Sequence, residues 1–512
     1  MPINFIPNDP LALTSVPIRQ KAPRPNRPAT RAGFIFSDPV DDGVFDPGTP
    51  EFLFWQCREA ALLAVEVWES LNEPLAEWAR SRPNRKKLNL LQDAGDELNA
   101  GYSGDSLEFF HHTIGDGTTF AAASTDVVAH ETGHGFLDTL RPEIFLSPIT
   151  ELGAFHEAFA DCIAILTALS DEPTRRALLV ASPDLGTSNF VETTAEDLSN
   201  GVKRALGPNH PAAEPRHALN DFQFQLPTTL PTSGKPSLLT REIHSFGRVF
   251  SGCFYDTVRN IFAASASKTE ASLLAAAQTA GALLIGGAKQ APEVPRFFQA
   301  VGRTMVLTDQ TTNGGANRQA ITNAFARHNI ALGSMAMLAP RVSLAGAGPK
   351  LKAKDKGPIL STATARDIKR RIDAAPGAKL LVNLLEIGGE KVANAVHQRA
   401  VPLDRLSSQL KGVVAMAAEP VLIGAAGAMA AVVSALPDAA ATTDEVHAFV
   451  ETLLEHNRIA FEGGKSIRPI GASRKLGELP THIVTKRGTK KVLTRIRFLC
   501  CHSVRACSTK LQ

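Results

Sequence analysis

Hydrophobic positions along this chain recur with two periods, and their order predicts a mixed α+β fold. Apolar residues recur at helical spacing over 51–80 and again over 126–140, where Arg141-Pro142 ends the pattern. Helical patterns then dominate, at 151–170, 173–180, 240–264, 268–285, 293–305 and 316–330. Before residue 126, shorter apolar runs predict strands at 88–91, 107–113 and 118–123. The stretch 181–239 lacks a clear period and is expected to be a surface insertion.

The two ends of the chain have different patterns. Residues 1–50 contain many prolines and predict an extended arm or linker with little regular structure. Gly, Lys and Pro cluster in a predicted linker at 336–363, and 364–512 is expected to be an α-rich region with a basic tail. Within it, the apolar run 421–436 predicts a packed helix, because 16 residues are few for a membrane span. No transmembrane segment is therefore expected. A hairpin is predicted over 481–499.

Composition limits the partners more than it identifies them. Hydrophobic residues make up 44% and charged residues 21% of the chain, which is ordinary for a soluble globular protein. The net charge is +3, and no clear nucleic-acid site is predicted because aromatic residues are sparse among the basic ones. Twelve Lys/Arg and one acidic residue lie from Lys465 onward. Two interpretations stay open for this tail, a solvated surface and contact with an anionic surface.

The cysteines and the first residues bear on the cellular compartment. Three of the six cysteines lie singly in apolar stretches, so no disulfide framework is predicted. A second metal site at Cys500, Cys501, His502 and Cys507 is a weaker alternative, because the spacing matches no strong zinc pattern. The N-terminus lacks a basic segment followed by a long apolar run, so no Sec signal peptide is predicted. Cytoplasmic residence and non-classical export both stay open.

The strongest chemical signal is His130-Glu131-Thr132-Gly133-His134, inside the predicted helix 126–140. Two histidines four residues apart lie on one face of a helix, from which both imidazoles reach the same zinc ion. Glu131 points into the same space and can take a proton from a zinc-activated water. The pattern therefore predicts a catalytic zinc site with Glu131 as its general base.

A second helical segment supplies the third ligand. Glu157 follows His134 by 23 residues, and Asp161 lies four residues further along the same face. Two histidines and one carboxylate leave a position open for water, as in catalytic zinc sites. Asp161 is expected to accept the N–H of a zinc-binding histidine and so to orient its ring. The predicted ligands of Zn²⁺ are His130, His134 and Glu157.

These motifs resemble those of the thermolysin-like zinc metallopeptidases, a gluzincin family. The resemblance rests on Asp126-Val127-Val128-Ala129 before the first histidine and on Gly-Ala-x-x-Glu-Ala-x-x-Asp over Gly153–Asp161, and it extends over roughly 50–335. It implies a two-lobed fold, with a mixed β/α N-terminal lobe at 51–140 and a mainly helical C-terminal lobe at 141–335. The active site would lie on the helix between the lobes, and peptides or proteins would be the substrates.

The resemblance also implies roles for residues outside the metal set. Asn99 and Ala100 resemble the family's edge-strand segment, which pairs with the backbone of an extended peptide. Arg216 resembles the arginine that contacts a substrate carbonyl, and His244, 28 residues later, resembles the histidine that stabilises the tetrahedral intermediate. The implied activity is that of a zinc-dependent endopeptidase in which Glu131 is the general base.

The chain also departs from the family pattern. The tyrosine expected between the second histidine and the glutamate ligand would fall near Pro148. The aspartate that orients the downstream histidine aligns with Leu239, although Glu242 is close by. Two hypotheses stay open: an active zinc endopeptidase, and a catalytically weak or inactive module of the same fold that binds zinc or peptide. The presence of Glu131 argues for the first, and the missing tyrosine favours the second.

Overall fold

Helices and strands are mixed along the chain. The computed structural model describes residues 1–81, 84–293, 296–333, 353–354, 357–358, 362–387, 390–426, 429–432, 439–461 and 479–500. It contains 45% helix and 17% strand, so the predicted α+β class is confirmed.

Most of the longer helices lie in the middle of the chain and follow the predicted helical patterns to within about five residues. Within the described residues they are α1 Pro50–Leu71, α2 Thr125–Leu140, α3 Pro142–Phe145, α4 Thr150–Ser170, α5 Glu172–Ala181, α6 Glu196–Leu206, α7 Ile243–Ala264, α8 Glu270–Gln290, α9 Phe297–Asn313, α10 Arg318–Arg327, α11 Thr362–Arg371 and α12 Ala439–Glu455. However, α1 ends nine residues before the predicted bound, and α9 ends eight residues after it. Side chains that accept backbone N–H groups cap several N-termini, including Thr49 at α1 and Glu242 at α7. Helix α6 lies in the stretch 181–239, which was expected to be irregular.

The strands form two larger sheets and several short pairs. They are β1 Ile3–Phe5, β2 Arg19–Lys21, β3 Gly33–Phe36, β4 Lys87–Leu91, β5 Ala100–Tyr102, β6 Ser106–Phe109, β7 His111–Ile114, β8 Gly117–Phe120, β9 Thr193–Thr194, β10 Arg216–His217, β11 Ala353–Lys354, β12 Gly357–Pro358, β13 Leu381–Ile387, β14 Glu390–Pro402, β15 Val413–Ala426, β16 Met429–Val432, β17 Ile459–Ala460, β18 His482–Arg487, β19 Lys490–Arg495 and β20 Phe498–Leu499. One sheet has five strands in the order β20-β5-β6-β4-β3. The other has seven strands, in the order β13-β14-β15-β19-β18-β17 with β16 beside β15.

Helices α2 and α4 lie against each other in the main hydrophobic core. Nearly every residue of both helices is buried, which suits their content of small and apolar residues. The two backbones approach closely at Gly133, where an added Cβ would lie only 2.9 Å from the Cα of Ala160. On the other side of α2, Phe136 stacks on Trp68 of α1 with ring centroids 4.7 Å apart. The helix that carries the predicted metal ligands is therefore held rigidly from two sides.

The N-terminal segment is more regular than expected, and the prediction of an extended arm over residues 1–50 is wrong. β1 pairs antiparallel with β2, and β3 joins the five-stranded sheet parallel to β4. Ile3 and Phe5 are at most 1% exposed, and the Gln56 side chain of α1 hydrogen bonds with both backbone groups of Ile6. Proline removes an N–H donor, but the apolar residues between the prolines can still be buried.

The prediction of an α-rich region over 364–512 is also wrong, because strands β13 to β16 occupy most of 381–432. The apolar run 421–436 begins as part of β15 and not as a helix, and its residues 433–436 lie outside the described part of the chain. Runs rich in Ala and Val suit either state, and here antiparallel pairing with β14 decides for the strand. The hairpin predicted over 481–499 is confirmed by β18 and β19, which turn at Gly488 with φ +61°.

Two helices, α4 and α8, are long and apolar enough to cross a membrane by length and composition alone. The apolar stretch of α4 is 100% buried inside the protein, and that of α8 is 56% buried. A helix that is covered on all sides by its own protein is typical of a core, so α4 is a core helix.

Glu151, in the first turn of α4, generates a prediction about stability. It is 6% exposed, its Oε1 accepts the N–H of Phe298 at 2.7 Å, and burial raises its pKa to about 8. The pKa of a glutamate in the unfolded chain is about 4.3. The preference of the folded state for protonated Glu151 therefore contributes fully to the free energy of unfolding below about pH 4.3, and this contribution is lost as the pH rises through about 8. Glu151→Gln keeps the acceptor without the titration. Between about pH 4.3 and about pH 8, the free energy of unfolding of the variant should therefore rise relative to that of wild type by up to roughly 1.4 kcal/mol per pH unit.

Thermal unfolding at about pH 5 and about pH 8.5 measures this difference. The exposed Glu172, 62% exposed at its side chain, provides a matched Glu172→Gln control that should show no such trend. An equal Tm difference between Glu151→Gln and wild type at both pH values would contradict the prediction.

Candidate metal centre

Helix α2 carries the predicted metal-binding motif towards the interior. His130, Glu131 and His134 are all 0% exposed. One donor atom from each lies within 4.8 Å of the others, and this buried group could hold a metal ion. The helical repeat explains the grouping, since residues four apart lie one turn above each other.

Two carboxylates are candidates for the third ligand position. Glu131 belongs to the group whose atoms lie within 4.8 Å of one another. Glu157, on α4, places its Oε2 atom 3.5 Å from His130 Nε2 and 3.6 Å from His134 Nε2. Glu157 is the better placed ligand, because it is close to both ring nitrogens and faces them from a second helix. Glu131 is then left beside the site.

The donor atoms at this centre form no hydrogen bonds among the described residues, although His244 lies close to Glu157. Within the described part of the chain, no group hydrogen bonds with His130 Nε2, His134 Nε2 or the carboxylate oxygens of Glu131 and Glu157. Buried polar atoms are nearly always hydrogen bonded, so a cluster without partners requires an explanation. A bound cation would satisfy two imidazoles and a carboxylate at once, and these residues therefore fit a metal ion.

His130 is oriented by a carboxylate, as the spacing of Asp161 predicts. Its Nδ1 lies 2.8 Å from Asp161 Oδ1, so Nε2 is turned towards Glu157. Arg216 donates two N–H groups to the same carboxylate, with Nη2 2.8 Å from Oδ1. Burial alone would raise the pKa of Asp161, but Arg216 and His130 hold it well below the ordinary value. Asp161 is thus an anion that accepts the ring N–H of His130.

The second histidine is oriented by a residue that the sequence analysis did not assign. His134 Nδ1 lies 2.8 Å from Nδ1 of His156, so one of these nitrogens carries the shared proton and the other accepts it. Burial is the main cause that lowers the pKa of both rings well below the usual value, so both are neutral. A neutral imidazole is the form that binds a metal. The position of His156 directly before Glu157 on the same helix could have indicated this role.

His244, at the N-terminus of α7, lies on the open side of the centre. Its Nδ1 is 2.8 Å from Glu242 Oε1, and its Nε2 is 3.2 Å from Glu157 Oε2. Burial lowers the pKa of His244, but the Glu157 and Glu242 carboxylates outweigh this and raise it to about 9. His244 is therefore a cation at neutral pH. Glu242 thus takes the place beside His244 that the family pattern gives to an aspartate, which aligns with Leu239 in this chain.

Strand β5 brings the predicted substrate-binding residues beside the centre. Asn99 is 1% exposed, and its side-chain oxygen accepts the N–H of Ala100 at 3.0 Å. Ala100 begins β5, which is covered on one side by β6 and on the other by the short strand β20. Arg216 lies across from it and contacts Cys500 as well as Asp161. Ala100, Arg216 and His244 all contact the backbone of Leu499 or Cys500.

The alternative metal site near the C-terminus falls mostly beyond the described residues. Cys501, His502 and Cys507 lie outside them. Cys500 is described and is buried.

Comparisons with known proteins do not assign the chain to a family: no family model matches it, and no curated protein is similar to it. The resemblance to thermolysin-like metallopeptidases therefore stays a prediction that depends on the site residues.

The close approach of α2 and α4 can be tested with Gly133→Ala. Alanine favours a helix over glycine by about 1 kcal/mol, but its Cβ would lie 2.9 Å from Ala160 Cα and 3.1 Å from Ile163 Cβ. Overpacking of this kind costs about 1–3 kcal/mol, so we expect a lower Tm and weaker metal binding. Gly377→Ala, where an added Cβ meets nothing within 4 Å, is the control. A Tm at or above that of wild type would show that the helices do not need this contact.

Proposed function

We propose that the protein is a zinc-dependent endopeptidase of the thermolysin-like type. The observation that supports this most strongly is the convergence of His130, His134 and Glu157. Glu157 Oε2 lies 3.5 Å from His130 Nε2 and 3.6 Å from His134 Nε2 across two helices, with the carboxylate of Glu131 beside them. Bond lengths of about 2.0–2.1 Å place tetrahedral zinc ligands roughly 3.3 Å apart. The set therefore fits zinc with little adjustment.

The chain around this centre supports a two-lobed arrangement. The five-stranded sheet draws most of its strands from residues before α2, whereas α4 to α10 follow it. We therefore propose that 51–140 and 141–335 are the two lobes, with β3 added to the first lobe from the N-terminal segment.

Zinc bound by His130, His134 and Glu157 would act as a Lewis acid that activates water and polarises a peptide carbonyl. Glu131 has no hydrogen-bond partner among the described residues, so its carboxylate is available to the attacking water. As general base it accepts a proton from that water and passes it to the nitrogen of the leaving amine. The catalytic role of Glu131 depends on its place beside the ligands rather than among them.

Three further groups are suited to hold the substrate. His244 lies 3.2 Å from Glu157, where its ring N–H can stabilise negative charge that develops on the substrate carbonyl oxygen. Arg216 presents N–H donors to a neighbouring carbonyl, and the edge of β5 that β20 occupies can pair with an extended peptide backbone. Sequence-independent backbone contacts of this kind suit an endopeptidase. The second candidate function, a peptide-binding module without turnover, is favoured by the missing tyrosine at Pro148.

Glu131→Gln separates the two functions. Glutamine keeps the shape of the side chain but cannot act as general base, so hydrolysis of a quenched peptide should fall by about 10²–10⁴-fold. Bound zinc, measured on the same sample by elemental analysis, should be unchanged. Glu172→Gln, at an exposed site, controls for a general loss of negative charge. Equal hydrolysis by Glu131→Gln and wild type would exclude the peptidase mechanism.

Asp161→Asn tests the orientation of His130. The variant loses the carboxylate that accepts the ring N–H at 2.8 Å, so zinc affinity should fall by about 10–100-fold. Competition with a chromophoric chelator measures the affinity. Asp184→Asn, whose side chain is 76% exposed, is the control. An unchanged zinc affinity would mean that Asp161 only pairs with Arg216.

A further inference from the structure

The end of the described chain passes from one large sheet to the other. After β19, residues 496 and 497 leave the seven-stranded sheet, and β20 pairs antiparallel with β5. Arg497 anchors this passage, because its Nη1 lies 3.1 Å from Glu108 Oε2 and both side chains are buried. The edge of β5, which the proposed function reserves for a peptide, therefore already carries an extended segment, Phe498–Cys500.

The backbone of this segment is held by the groups assigned to substrate. The N–H of Cys500 donates to the Ala100 carbonyl at 2.9 Å. The Leu499 carbonyl lies 2.5 Å from His244 Nε2, and the Cys500 carbonyl accepts from Arg216 Nη1 at 2.7 Å. Three of the residues predicted to bind a peptide, Ala100, Arg216 and His244, thus contact the chain's own backbone.

The side chains of the segment are as well fitted as its backbone. Phe498 is 0% exposed and stacks on His156 at 4.0 Å and on His134 at 4.8 Å between ring centroids. The Arg495 guanidinium lies 4.2 Å from the Phe498 ring centroid. Leu499 and Cys500 are 1% and 0% exposed. A segment that is buried to this degree excludes any other peptide from the same edge.

One bond of the segment lies at the reactive position. His244, the group suited to stabilise an oxyanion, contacts the carbonyl of Leu499, and its Nε2 also lies 3.2 Å from Glu157 Oε2. Arg216 holds the next carbonyl, that of Cys500, and lies 3.7 Å from its Sγ atom. The Cys500 thiol thus lies against Arg216. The peptide bond between Leu499 and Cys500 is therefore the one presented to the centre.

We propose that the protein is its own substrate and cleaves the Leu499–Cys500 bond, and that the uncut segment blocks the cleft until then. This inference rests on the proposed function. The oxygen of water bonds to the Leu499 carbonyl carbon, and the carbon–nitrogen bond to Cys500 breaks. Glu131 carries the proton from water to the Cys500 nitrogen, which leaves as an amine. Leu499 ends as a carboxylate, and no atom is oxidised or reduced.

The first experiment follows the intact mass of the purified full-length chain. Zinc added to metal-free protein should convert it to a chain that ends at Leu499 and a thirteen-residue peptide, 500–512. The conversion should be first order and independent of protein concentration, since the segment is bound within its own molecule. Glu131→Gln and chelator-treated samples should stay intact. Hydrolysis of an added quenched peptide should begin only as the cleaved form accumulates.

The second experiment measures whether the segment is bound, without using activity. In metal-free Glu131→Gln protein, alkylation of Cys500 should be slow, and mass mapping separates it from other cysteines. Gly101→Ala would place a Cβ 2.8 Å from the Phe498 carbonyl oxygen and 3.0 Å from Leu499 Cδ2, so it should expel the segment. We expect alkylation to accelerate by at least about tenfold. Gly377→Ala is the control, since its added Cβ meets nothing within 4 Å.

The outcomes distinguish this inference from the function on which it rests. Hydrolysis of the added peptide by a chain that stays full length would overturn self-cleavage and leave the peptidase intact. Bound zinc without hydrolysis of either substrate would overturn both. Cleavage whose rate rises with protein concentration, or fast alkylation of Cys500 before Gly101 is changed, would show that the segment is not held in its own cleft.

Discussion

The close contact between α2 and α4 is the constraint on which the rest of the site depends. Gly133 has no side chain, so the backbone of α2 can pack against Ala160, and this brings Glu157 to 3.5 Å and 3.6 Å from the two histidines of α2. A metal-ligand set from two separate helices requires a fixed distance between their axes. Dense packing on the far side of α2, where Phe136 stacks on Trp68, keeps that distance constant.

Burying so many ionisable groups in one place is costly unless each charge has a partner. The structure meets this by pairing Asp161 with Arg216 and Glu242 with His244 around the centre. His134 and His156 are kept neutral by the same burial. Among the buried atoms left without hydrogen bonds in the described residues are the donor atoms of His130, His134, Glu131 and Glu157. Two imidazoles and two carboxylates that meet in this way suit a cation.

An exposed strand edge pairs readily with any extended chain. Such an edge can bind a peptide, and it can also cause aggregation. Here β5 is covered by β20, which arrives from a hairpin of the seven-stranded sheet. The C-terminal region thus has a structural connection to the metal centre that its basic composition did not indicate. Its position suggests that this region controls access to the cleft.

The sequence by itself determined the parts of the protein that depend on local spacing. His130, Glu131 and His134 share a helix, so their grouping followed from the helical repeat, and the helix bounds followed from strong apolar periodicity. Contacts between distant segments were decided only by the tertiary structure. Residues 1–50 and 381–432 were predicted wrongly because burial and strand pairing, and not local propensity, decided their state. For the same reason no local pattern could reveal that Leu499 lies against His244, since 255 residues separate them along the chain.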